Sequence, residues 1–255
     1  GNQALLLFGS RRSQKSATPE HPFGFGPERY FWSFIVALVL FSLGGLFALY
    51  EGIRKFQDPH ELGSPMWGFI VLTIAIALEG YSLRTAIVET NQVRSSKSFW
   101  RFIREAKHPE LPVVLLEDIG AITGLIFALG GLSLAVITGD ARYDAAGSIA
   151  IGLLLVVIAF ILAREMKSLL IGESVDLLVA QKIRSAIEQG DEVKSIIHLR
   201  TMHLGPDDIL LAVKVECKGD TAMDIAHEIN AVEARVRAAV PEVKTIYIEP
   251  DIQRV

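Results

Sequence analysis

Glu117 and Asp118 stand side by side inside an apolar run, about 111 to 138, that is long enough to cross a bilayer. An ionised carboxylate at the centre of a membrane helix costs about 2.5–3.5 kcal/mol on insertion scales. Two adjacent acids roughly double that. Such a cost is tolerated when the acids face a bundle interior, a cation or a proton path. Neighbours on a helix point about 100° apart, so both can reach one polar cavity. The alternative is an acid paired with a buried base or protonated in place. No Lys or Arg lies within this run or at matching depth in the other apolar runs, which weakens the pairing version. Glu79, late in a second apolar run, either joins the same cavity or sits near the interface and pairs with Arg84. His21, in His21-Pro22-Phe23-Gly24-Phe25-Gly26-Pro27, is a further candidate metal ligand. One His among apolar neighbours rarely makes a metal site by itself.

These residues need elements to position them, and the composition says which. Of 255 residues, 51% are hydrophobic, and the mean hydropathy is +0.38. A soluble domain of this size is normally more polar. The apolar residues concentrate between 30 and 172. A membrane helix needs about 20 largely apolar residues, and four segments qualify, at about 30–52, 65–87, 111–138 and 144–163. Tyr30, Phe31 and Trp32 suit a membrane interface. Residues 1–9 read as the tail of another span, so the chain is expected to be N-terminally incomplete. The loop at 10–29 carries Arg11, Arg12, Lys15 and Arg29, and that at 92–110 carries Arg94, Lys97, Arg101, Arg104 and Lys107. The alternate loops hold only Arg54, Lys55 and Arg142. By the positive-inside rule the two basic loops and the C-terminal tail are cytoplasmic, or on the equivalent side of an organelle. The expected domains are therefore 1–29 (helix end and loop), 30–170 (membrane) and 171–255 (cytoplasmic).

The tail reads as a small α+β domain in the order αββαβ. Ser174 is expected to cap a helix whose apolar face is Leu177, Leu178, Ile183 and Ile187. A strand starts at Ile196 and runs to about His203, and Gly205-Pro206-Asp207-Asp208 is a turn signal. Ile209 to Val215 is a second strand. Thr221 caps a helix with Ala222, Ile225, Ile229, Val232 and Val236 on one face. Val243 to Ile248 is a third strand. Two helices are expected on one face of a three-stranded sheet. At about 80 residues the core is modest, and dimerisation would help it.

Other residues carry less. From residue 173 on there are 15 acids against 10 bases, and no basic patch suggests nucleic acid. The single cysteine, Cys217, excludes an intrachain disulfide framework and a multi-Cys zinc site. His198 and His203 are five apart on one strand and so on opposite faces. His227 lies beside Glu228 on the second tail helix. Glu249 and Asp251 can share a face, and solvated surface is the simpler reading for all of them. Asp144, opening the fourth span, complements the helix dipole. Gly44-Gly45, Gly120 with Gly124, Gly130-Gly131, and Gly147 with Gly152 allow close helix approach. No Gly-x-Ser-x-Gly, P-loop or His-Glu-x-x-His is present, and no His or Cys lies within the spans. The implied chemistry is binding and release without bond cleavage.

Several stretches together resemble the cation diffusion facilitator family, the cation-efflux proteins that move zinc and related divalent metals. They are Asn2-Gln3-Ala4-Leu5-Leu6-Leu7, His21-Pro22-Phe23-Gly24-Phe25-Gly26, Asp118, Asp144-Ala145-Ala146-Gly147-Ser148 and Ile248-Glu249-Pro250. The resemblance covers nearly the whole chain and makes the four spans family helices three to six. It implies a helical multi-pass membrane bundle with a ferredoxin-like cytoplasmic domain, a homodimer, and a tetrahedral metal site between the second and fifth helices. It also implies exchange of metal for protons, with no resident cofactor.

The sequence departs from the family pattern at three histidines. The fifth-helix motif is usually His or Asp, three residues, then Asp; Asp118 matches the last position, but Val114 occupies the first. Glu117 is an oxygen donor one residue away, as in a zinc-transporter-like branch with a Glu-Asp pair. His21 matches the first loop histidine, while Phe25 stands at the second, and Tyr247 stands where a histidine often precedes Ile-Glu-Pro. Zinc favours nitrogen and sulfur donors, and oxygen-rich sites lean toward Mn²⁺, Mg²⁺ or Fe²⁺. Zinc is placed first, manganese or iron second. The competing reading is a non-transporting membrane scaffold that dimerises through its tail. Bacterial inner membrane and organellar membrane both remain open.

Overall fold

Backbone crossing hydrocarbon has no water to bond, so apolar runs of this length form helices whose N–H and C=O groups pair internally. The computed structural model describes residues 2–59, 65–94 and 98–252. Lys97 of the basic loop, and Arg254, lie outside them. Contacts divide the chain into two units, Gly1–Gly9 with Phe31–Lys167, and Ser10–Tyr30 with Ser168–Val255.

The first unit is helical. Helix α1 covers Asn2–Ser13 and α2 covers Glu28–Val36; a π-helical turn at Ala37–Phe41 leads without a break into α3, Ser42–Gln57. Helices α4 (Pro65–Val93), α5 (Phe99–Glu105), α6 (Glu110–Thr138) and α7 (Arg142–Ile171) follow. Among the described residues four rods are long and apolar enough to cross a membrane: Glu28–Gln57, Pro65–Val93, Glu110–Thr138 and Arg142–Ile171. These are the four expected spans, each longer than its apolar run. Thirty residues make a helix of about 45 Å, which passes beyond the hydrocarbon. Pro112 falls in the first turn of α6, where its missing N–H removes no helical bond. Gly139, at φ 72°, ends the helix in the left-handed conformation.

The spans bury little against each other on their outer faces. Trp67, Val71, Ile74, Leu78 and Tyr81 of α4 recur at helical spacing and are all exposed. A stripe of that size would be a liability in water and is ordinary against lipid. Inside, Leu6, Val36, Ala86, Ile103, Val113, Leu115 and Leu162 form one core that joins α1, α2, α4, α5, α6 and α7. Helix α5 corrects the sequence reading, which left 92–110 as a loop. Ser98 caps it by accepting from the Arg101 N–H at 3.3 Å, and burial of Phe102 and Ile103 holds it.

The glycine faces act as expected at several crossings. A Cβ on Gly131 would lie 2.8 Å from the Tyr143 carbonyl oxygen, which brings α6 against α7. Gly45 and Gly52 do the same for α3 against α7. Gly130, by contrast, faces open space.

The second unit contains α8 (Leu177–Glu188), β1 (Val193–Gly205), β2 (Asp208–Cys217), α9 (Ala222–Ala239) and β3 (Val243–Pro250). The sheet order is β1-β2-β3, with β1 and β2 antiparallel and β2 and β3 parallel. The expected αββαβ order holds. Ile209, Leu211, Val213 and Val215 alternate into the core and meet Ile183 and Ile187 of α8 and Val232 and Val236 of α9. Thr221 caps α9 in a reciprocal box with Asp224. Two details differ. The residue before α8 is Asp176, with no side-chain cap bond, and Ser174 lies in the extended lead-in. Leu177 and Leu178 are 83% and 70% exposed, because the core-facing stripe of α8 runs through Ile183, Ala186 and Ile187. The loop between α1 and α2 belongs to this unit. Gly26 packs against the Leu204 backbone at the end of β1, and Arg12 pairs with Glu28 at 3.1 Å.

Candidate metal site

Asp118 is the ninth of the 29 residues of α6, about 12 Å along the helix from its start. Its side of α6 packs on α4 and its carboxylate is almost enclosed, with 7% of the residue exposed. Its Oδ2 accepts a hydrogen bond from the Ser82 hydroxyl of α4 at 3.0 Å. Val113, Leu115 and Leu116 are buried around the preceding turn. On the following turn Gly120 lets Ile158 of α7 come so near that a Cβ would lie 2.6 Å from its Cδ1. Among the described residues its hydrogen-bond partner is the neutral Ser82 hydroxyl, which brings no charge opposite to that of a carboxylate.

The other expected ligands are distributed unevenly. Glu117 is half-buried on the preceding position of α6. Glu79 is half-buried on α4, one turn before Ser82 and on the same helix face. Its alternative partner, Arg84, forms no ion pair with it. Among the described residues no three His, Cys, Asp or Glu side chains converge closely enough to hold an ion. Asp118, Glu117 and Glu79 therefore do not close a coordination shell by themselves. A tetrahedral site needs four donors.

His21 lies in the second unit, exposed, with its ring edge-on to Phe25 at 4.6 Å. Its backbone is tied to Thr18 in both directions, at 3.0 and 3.1 Å. His198 is exposed and His203 buried, on opposite faces of β1 as expected. Glu249 and Asp251 do share a face, and both bind the Lys214 ammonium, at 2.8 and 2.9 Å. The two carboxylates hold the Lys214 ammonium above its usual range, Glu249 first and then Asp251. That lysine was missed in the sequence; its place on β2, beside β3, was the available signal. The second unit also has a cavity of about 470 Å³ between the 13–29 loop and the β1–β2 turn. Its charged lining mixes Lys15, Arg29 and Lys244 with Asp207 and Asp208. Burial pushes the Asp208 carboxyl up, and Lys244 opposes it.

Ser82 is the contact of Asp118 that sequence reasoning missed. Its signal was weak: a hydroxyl three residues after Glu79 in an apolar helix.

Comparison with known proteins agrees with this architecture. The cation efflux transmembrane domain model matches residues 1–171, and the cation efflux protein cytoplasmic domain model matches 176–251. The human protein named "Proton-coupled zinc antiporter SLC30A9, mitochondrial" is 30% identical over 220 residues, covering 86% of this chain and 39% of that protein. Metal tolerance protein C4 of Arabidopsis thaliana is 27% identical, over 86% of this chain and 48% of its own length. Magnetosome protein MamM of Magnetospirillum gryphiswaldense is 22% identical, over 100% of this chain and 76% of its own. The chain thus spans less than half the length of the first two. With both family domains matched in order, over a four-span bundle and a three-stranded tail, the chain belongs to the cation-efflux family of multi-pass membrane proteins with a cytoplasmic C-terminal domain.

Proposed function

We propose that this chain carries a divalent metal cation across its membrane in exchange for protons, as a homodimer joined through the tail domain. The observation that carries the reading is Asp118, a carboxylate enclosed between two spanning helices whose hydrogen-bond partner among the described residues is the neutral Ser82 hydroxyl. An ionised acid in that position is costly without a cation. A metal entering the site offsets that cost and releases any proton held there. A proton arriving from the other side then displaces the metal, and rocking of the helices alternates access.

Asp118 and Glu117 are the ligands in this reading. Glu79 stands one turn from Ser82 and guides the ion toward them. His21, exposed in the loop, is at most an entry ligand. Zinc comes first because the relatives named as antiporters are named for zinc. Manganese or iron comes second, because the donors present are oxygens. The tail sheet has its acids at Glu249 and Asp251 occupied by Lys214, which makes it a structural and dimerising element in this scheme.

The test is uptake by proteoliposomes carrying the intact protein, offered Zn²⁺, Mn²⁺, Fe²⁺ and Co²⁺ in turn under an imposed pH gradient. Uptake of one ion, abolished by the Glu117→Ala/Asp118→Ala double variant, supports the reading and names the substrate. No uptake by well-folded dimers would favour a membrane scaffold instead.

A further inference from the structure

Hydroxyls inside membrane helices usually satisfy themselves locally, by bonding a carbonyl one turn back. Thr73, Thr85, Thr123, Ser133 and Thr138 all do so in this protein, at 2.6–3.1 Å. Ser82 does not. Its hydroxyl crosses from α4 to α6 and donates to Asp118 Oδ2 at 3.0 Å. The following turns of the same α4 face are closed, with Ala86 and Thr90 buried. Packing there fixes the α4–α6 spacing that brings the hydroxyl to the acid.

We infer that Ser82 is a positioning residue for the transported ion: it pins one carboxylate oxygen of Asp118 and leaves the other to bind metal. The inference rests on the proposed transport role of Asp118 and deepens it. Three points of chemistry support it. Carboxylates that bind metals are commonly oriented by an outer hydrogen bond, and loss of that bond typically costs about 10–100-fold in affinity. A carboxylate with one oxygen engaged in a hydrogen bond favours binding through the other, which suits a compact four-coordinate ion over a larger one that takes both oxygens. A serine hydroxyl is both donor and acceptor. It can therefore serve as either partner in its bond to Asp118. A hydrogen bond between membrane helices adds little to stability, so the effect of removing it falls on the site.

The experiment uses the intact protein in proteoliposomes, with Ser82→Ala, Ser82→Thr and Thr85→Ala. Thr85 loses a hydroxyl from the same helix, but one bonded to its own backbone. Ser82→Ala is expected to raise the half-saturating Zn²⁺ concentration about tenfold with little change in maximal rate. It is also expected to narrow the preference for Zn²⁺ over Mn²⁺. Ser82→Thr restores both, and Thr85→Ala matches wild type. Equilibrium Zn²⁺ binding by calorimetry, on the same dimers, gives the second readout. Wild-type values in Ser82→Ala, or a threonine variant no better than alanine, would overturn the inference and leave the transport reading standing. Wild-type protein that neither binds nor moves an ion would overturn both.

Discussion

Gly152 of α7 lies so close to Gly45 of α3 that a Cβ on it would sit 2.8 Å from the Gly45 carbonyl oxygen, and 2.7 Å from the Leu49 nitrogen. The obstacle is backbone, which cannot swing aside. Gly152→Leu is expected to force the two spans apart, with a loss of about 1–3 kcal/mol. Gly80→Ala, which meets nothing within 4 Å, is expected to be neutral. Thermal unfolding of the detergent-solubilised protein separates the two cases.

Two glycines of the α1–α2 loop are needed for different reasons. Gly24 has φ 80° and open space around it, whereas Gly26 would place a Cβ against the Leu204 carbonyl. Asn tolerates the left-handed conformation better than most residues. Gly24→Asn is therefore expected to be accepted, and Gly24→Val to cost about 1–3 kcal/mol. Gly26→Asn is expected to release the loop whatever its φ preference. Limited proteolysis of the loop reads the result: faster cleavage for Gly26→Asn and Gly24→Val, and a wild-type rate for Gly24→Asn.

Arg235 grips Glu192 with both terminal nitrogens, at 2.9 and 2.8 Å. Its Nε also donates to the Ala186 carbonyl at 3.0 Å. The guanidinium holds the Glu192 carboxyl below its ordinary value, chiefly by hydrogen bonding. A depressed carboxylate stabilises the fold above the unfolded value of about 4.3 and loses that contribution as pH falls through the folded value. Arg235→Met is expected to cost about 1–2 kcal/mol at pH 7, discounted because both partners keep about a quarter of their side-chain surface in water. Chemical unfolding at pH 7 and below pH 4 checks the sign: the gap between wild type and variant narrows in acid.

Cys217, the single thiol, is half-buried on β2. Burial pushes it up first, and the Glu228 carboxylate adds to that. Since the thiolate is the reactive form, alkylation near neutral pH is expected to be slow in the folded protein. Glu228→Gln is expected to speed it. Labelling rates measured across pH 7 to 9 give the answer without interference from another cysteine.

Long-range pattern was readable in the sequence and local exceptions were not. The four spans follow from apolar runs that have no other stable form in lipid. Strand β2 follows from the Leu- and Val-rich run between Ile209 and Val215 after the Gly205-Pro206-Asp207-Asp208 turn signal, and helix α9 from Thr221 ahead of an apolar face. Helix α5 escaped because seven residues give too little periodicity to separate from a basic loop. Leu177 and Leu178 misled because an apolar pair at a helix start fits the stripe only if the helix phase is known. Of the site, the Glu117-Asp118 pair was visible as charge in an apolar run. Ser82 was not, since nothing in the residue type separates a hydroxyl that bonds its own helix from one that crosses to Asp118.

The most direct test of the account is the effect of Asp118→Asn on coupled exchange. The measurement is Zn²⁺ entry and proton release, recorded together in proteoliposomes of the intact protein. The change keeps size and removes charge. Wild type is expected to take up the ion and release protons in fixed proportion, and folded Asp118→Asn dimers to do neither. Transport by Asp118→Asn at the wild-type rate would contradict the claim that this carboxylate carries the ion.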